Sequence, residues 1–174
     1  MITLTRILVA TDFSEASNAA LLYGRELARS FGARLDLLHV VPNLAKYYAA
    51  EAYTAAYPEI EEGMEEAARR DIDRLLTDED YRRGARAILR TLQLPADAIV
   101  QHARDEKIDL IVIGTHGRGG VKHLLVGSVA EHVVRTAPCP VLTVRHPEHE
   151  FVSVEAPSAI SVSQAQAAAA HRRS

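Results

Sequence analysis

Residues 109–117 read Asp109-Leu110-Ile111-Val112-Ile113-Gly114-Thr115-His116-Gly117, and nine residues later the chain reaches Gly127-Ser128. The apolar run before Gly114 is a strand buried on both faces, as parallel sheets require. Glycines at the carboxyl end of such a strand let the backbone approach a bulky anion and make positive φ accessible. Ser128 then opens a second periodic segment, with Val129, Ala130, Val133 and Val134, where it fits an N-cap. Loop amides opposed to a helix N-terminus form a site for phosphate oxygens.

Four further β-branched or Leu-rich runs cover residues 6–10, 34–41, 85–92 and 140–144. Helical periods lie between them. In 14–31, Ala16, Ala19, Ala20, Tyr23, Leu27 and Phe31 recur at steps of three or four, giving one apolar stripe. Residues 59–76 repeat the pattern, with acids early and Arg69, Arg70 and Arg74 late, which suits the helix dipole. Pro95 fits the first turn of a helix carrying Ala98, Ile99, His102 and Ala103.

The order β-α-β-α-β-α-β-α-β implies an α/β fold, a parallel sheet with helices on both faces. Ligands of such sheets bind beyond the carboxyl ends of the strands, near the topological switch point. Three candidates end there: Ala10-Thr11-Asp12, Val40-Val41 and the glycine loop. Residues 43–57, with Tyr47, Tyr48, Tyr53 and Tyr57, read as peripheral packing, a short helix or a lid. From Pro147 onward Ser, Ala, Gln and Glu dominate. The expected organisation is one domain over 1–146 and a flexible tail over 147–174.

The chain's 174 residues suffice for one well-buried core. A net charge of −3, of mixed signs, gives no reason to expect nucleic acid or an anionic membrane as partner. The single cysteine, Cys139, excludes an internal disulfide framework and favours a reducing compartment. The first residues lack the pattern of a signal peptide, and no apolar run approaches membrane-spanning length, so the cytoplasm is expected.

Taken together, these segments resemble the universal stress protein family, specifically its ATP-binding branch. That branch is marked by G-x-x-G, nine residues, then G-[ST], matched here by Gly114, Gly117, Gly127 and Ser128. Supporting segments are Ile7-Leu-Val-Ala-Thr-Asp-Phe-Ser14, Leu37-Leu-His-Val40 and Ala137-Pro-Cys-Pro-Val-Leu-Thr-Val144. The resemblance implies a Rossmann-like, five-stranded parallel sheet of order 3-2-1-4-5, akin to the adenine nucleotide alpha hydrolases. It also implies ATP as ligand, with AMP as the alternative. Asp12 and the Val40 backbone would hold the adenine end, with Ala10 and Thr11 as a wall. Gly114, Thr115, His116 and Gly117 would follow the ribose and first phosphates, and Arg118, Gly119 and Gly120 continue that loop. Gly127, Ser128 and Val129 would bind the outer phosphates. Mg or Mn would be held through the phosphates rather than by a protein metal site. The family further implies a homodimer through the last strand, from Pro140 to Val144, and a protein partner not identified by the sequence. One departure is Gln93-Leu94-Pro95, where family members often carry a glycine two residues before the proline.

Individual residues have plainer readings. Asp12 with Glu15 also fits a capping-box-like helix start. His116 is not paired by spacing with a carboxylate, so packing outweighs general acid–base chemistry. His39 reads as a satisfied core or pocket-edge residue, and Cys139 as a small packed residue. Arg118, Lys122 and His123 suit phosphate neutralisation or an exposed basic turn. The functional expectation is a nucleotide-responsive dimeric regulator in stress response, with a slow Mg-dependent ATPase as the alternative. The chain has no G-x-x-x-x-G-K-[ST] and no G-x-G-x-x-G after the first strand, which excludes P-loop and dinucleotide sites. Leu92-Gln93-Leu94 supplies no phosphoacceptor aspartate for a receiver domain.

Overall fold

The computed structural model describes residues 1–41, 57–91, 94–115 and 127–145, with the side chains of Tyr57 and Pro58 excepted. The elements run β1 (Arg6–Thr11), α1 (Glu15–Phe31), β2 (Arg34–Val41), α2 (Tyr57–Leu75), α3 (Asp78–Arg82), β3 (Arg86–Thr91), α4 (Pro95–Asp105), β4 (Leu110–Gly114), α5 (Ser128–Thr136) and β5 (Val141–Val144). They form one five-stranded sheet of order β3-β2-β1-β4-β5, parallel at every pairing. This is the expected 3-2-1-4-5 topology. The chain order reverses between β1 and β4, which makes that boundary the switch point.

Strand alternation divides the core. Ile7, Val9, Leu35, Leu37 and Val112 join α1 and α2 on one face, with Ile72 and Leu76. Leu8, Ala10, Leu38, Val40, Ile111 and Ile113 join α4 and α5 on the other, with Ile99, Ala103 and Val133. Central strands buried on both faces explain the near-continuous apolar runs in the sequence.

Helix α1 lies tight on the sheet because Gly24 faces Val9: a Cβ there would drive into the Val9 Cγ2 methyl. A helical glycine costs about 1 kcal/mol of propensity, offset here by that close approach. Gly32 ends α1 at φ 65°, its amide donating to the Ala28 and Arg29 carbonyls. The five-residue α3 was not among the expected elements. Thr77 and Asp80 cap it reciprocally, each side chain bonding the other's backbone amide. Asp80 also receives Arg25 Nε at 3.0 Å, fastening α3 to α1.

At the amino ends of the strands a charged cluster crosses three elements. Asp36 of β2 is fully buried and accepts from Arg34 (Nε, 3.0 Å), from Arg86 of β3 (3.0 and 2.7 Å) and from His102 of α4 (3.2 Å). Glu106 closes the ring by pairing with Arg34 at 3.0 Å and Arg86 at 2.9 Å. Burial pushes the Asp36 carboxyl up, but the hydrogen bonds from His102, Arg86 and Arg34 outweigh it and hold it well below the usual carboxylate range.

Candidate functional site

The carboxyl ends of β1, β2 and β4 carry the residues singled out by sequence. Ala10 and Val40 are buried on the α4 face, and Thr11 is buried at the end of β1. Asp12 begins the turn into α1. Its Oδ1 accepts from the Ser14 amide at 3.1 Å and the Ser14 hydroxyl at 2.6 Å. Ser14, not Asp12, is the N-cap of α1, and its Oγ accepts from the Ser17 amide at 3.3 Å. The capping-box reading of Asp12 with Glu15 therefore gives way. Asp12 braces the capping residue, and the brace fixes its own carboxylate.

The middle of this turn is strained. Phe13 adopts φ 65°, a left-handed conformation that costs a side-chain-bearing residue about 1–2 kcal/mol. Three contacts offset the cost. The Phe13 amide donates to Thr11 Oγ1 at 3.1 Å, its ring packs on the core, and that ring sits 4.3 Å from the His39 imidazole, tilted by 36°. Backbone strain of this sort concentrates at functional sites. Neither Phe13 nor its partnership with His39 is legible as such in the sequence, since the two lie on different strands' ends.

Gly114 ends β4 beside the first turn of α1. A Cβ on it would stand 2.8 Å from the Ala16 carbonyl carbon, 2.9 Å from its oxygen and 3.0 Å from the Ser17 amide nitrogen. The absence of a side chain thus serves helix–strand contact, a role separate from the approach of an anion expected from the sequence. Thr115 is buried, and its amide donates to the Val144 carbonyl at 2.8 Å. Its own carbonyl accepts from the Gly127 amide at 2.5 Å, tying together the two ends of the segment between them. His116, Gly117, Arg118, Gly119 and Gly120 lie outside the described residues, as do Gln93, most of the tyrosine segment and the tail.

The cap of α5 lies one residue before the expected one. Gly127 is the N-cap, with φ −68° and ψ 153°, and its carbonyl accepts the first helical bond, from Glu131 N at 2.9 Å. Ser128 is therefore the first helical residue, and it is exposed. Among the described residues no side chain caps α5. The Gly127 amide is committed to Thr115, so the open donors of this terminus are the amides of Ser128, Val129 and Ala130, which take no partner among the described residues. An uncapped N-terminus carries partial positive charge and unsatisfied N–H groups, the preferred environment of an anion.

Cys139 is half-buried just before β5, a free thiol. Burial and then the Asp109 charge push it up, away from thiolate reactivity. Among the described residues no cluster of three or more His, Cys, Asp or Glu could hold a metal ion. No described helix is long and apolar enough to cross a membrane.

Residues 3–145 match the model of the universal stress protein family. A universal stress protein of Thermus aquaticus is 37% identical over 147 residues, covering 80% of this chain and 97% of the relative. Among solved structures, the universal stress protein UspA from Lactobacillus plantarum superposes with a TM-score of 0.71 at 29% identity, covering 83% of this chain and 100% of that one. A universal stress protein solved in complex with cAMP superposes with a TM-score of 0.58, covering 82% of this chain and 98% of the other; at 24% identity it shares the fold. With the sheet order, the switch point and the family match in agreement, the chain belongs to the universal stress protein family.

Proposed function

We propose that the protein binds ATP, or AMP, at the switch point and acts in the cytoplasm as a nucleotide-responsive dimeric regulator of the stress response. The observation that carries the reading is the uncapped start of α5, with the Ser128 and Val129 amides open, at the same end of the sheet as the braced Asp12 carboxylate. The first suits phosphate oxygens, and the second suits a hydroxyl or amino donor of the nucleoside. Val40 contributes backbone groups, with Ala10 and Thr11 as a wall. His116, Gly117, Arg118, Gly119 and Gly120 would line the phosphates between Thr115 and Gly127. Mg or Mn reaches this site on phosphate oxygens and water.

Dimerisation is proposed through β5. It is an edge strand, paired only with β4 among the described strands, and it leaves Leu142 37% exposed. An apolar edge gains from pairing with a second copy.

The direct test is to denature freshly purified protein and identify the released nucleotide by mass and absorbance. ATP or AMP at near one per subunit supports the reading. Absence of bound nucleotide together with no measurable ATP affinity refutes it. Phosphate release followed with and without Mg²⁺ separates a binding protein from a slow ATPase. Gly127→Val is the matched control, because its backbone angles are open to any residue while its side chain would intrude on the phosphates.

A further inference from the structure

The end of β2 holds a histidine that the proposed ligand contacts do not use. His39 pairs in register with Thr11 of β1, and its Nδ1 lies 2.8 Å from the Thr11 carbonyl oxygen. A carbonyl only accepts, so Nδ1 carries the proton and donates. The imidazole face meets the Phe13 ring at 4.3 Å. Thr11 and Phe13 are the residues on either side of Asp12. The preceding residues on the same face of β2, Leu35 and Leu37, are aliphatic and buried at 4% and 0% exposure. Packing alone would be met by a third aliphatic residue, whereas a half-buried imidazole costs desolvation unless its polar atoms are used. Here the donor is spent on the turn.

We propose that His39 is a positioning residue for the Asp12 carboxylate: its Nδ1–H and its ring face grip the two residues that flank Asp12 and hold the strained turn in its binding geometry. The proposal rests on the nucleotide-binding reading above for its functional consequence. Its structural half stands independently, because the grip is a property of the protein without ligand. Asp12 itself is the contact, and His39 acts through it.

The test uses the full chain. ATP affinity in the presence of Mg²⁺ is measured by titration calorimetry for the wild type, His39→Leu, His39→Asn, Asp12→Ala and the double variant Asp12→Ala/His39→Leu. His39→Leu fills the space without a donor, and its affinity is expected to fall about tenfold, the effect of one lost hydrogen bond to a ligand-orienting turn. His39→Asn places an amide N–H near the position of Nδ1 and is expected to recover most of that loss. In the Asp12→Ala background, His39→Leu is expected to add nothing, because the residue it positions is gone. Additive losses, wild-type affinity in His39→Leu, or an Asn variant as weak as the Leu variant would each overturn the proposal.

Two readouts need no nucleotide. Nitrogen NMR of the His39 ring at neutral pH should show Nδ1 as the protonated atom, and protonation at Nε2 alone overturns the assignment. The Ser14 amide, which donates to Asp12, should exchange with solvent about tenfold faster in His39→Leu. An unchanged rate refutes the grip. If the wild type binds no ATP, the functional reading fails, and these two measurements still decide whether His39 sets the turn.

Discussion

Gly114→Ala adds a single methyl group at the point where β4 meets α1. That Cβ would lie 2.8–3.0 Å from three backbone atoms of Ala16 and Ser17. Ordinary carbon contacts begin near 3.5 Å, so the strand end and the helix must separate by roughly half an ångström. The obstacle is backbone, so no rotamer change relieves it. Overpacking of this kind costs about 1–3 kcal/mol, or roughly 2–12 °C in melting temperature for a chain of this size. The displaced atoms matter more than the energy. The Ser17 amide is held by Ser14 Oγ, which in turn donates to Asp12. Moving the first turn of α1 therefore moves the Asp12 carboxylate, and ATP affinity should fall at least tenfold even at temperatures where the variant is fully folded. Denaturant titration gives the stability, and calorimetry at 10 °C gives the affinity. A variant within about 0.5 kcal/mol of wild type, binding ATP normally, would refute both the contact and its coupling to the site.

Three other outcomes follow from the same contacts. Ser14→Ala removes the N-cap of α1, for a cost of about 1 kcal/mol, and it also deprives Asp12 of the 2.6 Å hydrogen bond from the Ser14 hydroxyl, so binding should suffer beyond the loss of stability. Asp36→Asn leaves Arg34 and Arg86 with Glu106 alone; a broken buried pair costs about 3 kcal/mol, readable as a drop of roughly 6–12 °C in thermal unfolding with little effect on ATP affinity. The Asp36 carboxyl titrates below its unfolded value, so its contribution is complete above about pH 4 and is lost as pH falls further. Acid unfolding of the wild type should show this added steepness below pH 4, and Asp36→Asn should lack it; identical acid profiles would contradict the assignment.

The central strands were legible because burial on both faces leaves unbroken apolar runs, as in Leu110-Ile111-Val112-Ile113. Helix α1 was legible from its stripe, and Pro95 marked the start of α4. Helix α3 escaped because five residues are too few to display a helical period. Its available signal was Thr77 three residues before Asp80, the spacing of a capping box. The start of α5 was displaced by one residue because serine is the better cap by propensity, whereas the carbonyl that accepts the first helical bond belongs to Gly127. Asp36 is the single acid of its Leu-rich strand, and its partners Arg86 and His102 are distant in sequence and meet it only when the sheet and α4 assemble. The same holds for His39 and Phe13. The sequence named the turn at Asp12 but could not show what holds it there.

The hydrogen bond from the Gly127 amide to the Thr115 carbonyl separates two inheritances within one chain. It joins the carboxyl end of β4 to the cap of α5 directly, through two described residues. Lengthening a fastened segment is cheap, about 0.6 kcal/mol for each doubling. On the proposed nucleotide-binding reading, the nine-residue spacing between Gly117 and Gly127 answers to the ligand and not to the sheet. Inserting two glycines there should leave the melting temperature almost unchanged while ATP affinity collapses. On that reading, a change of ligand needs changes in this stretch and leaves the strands and helices on either side as they are.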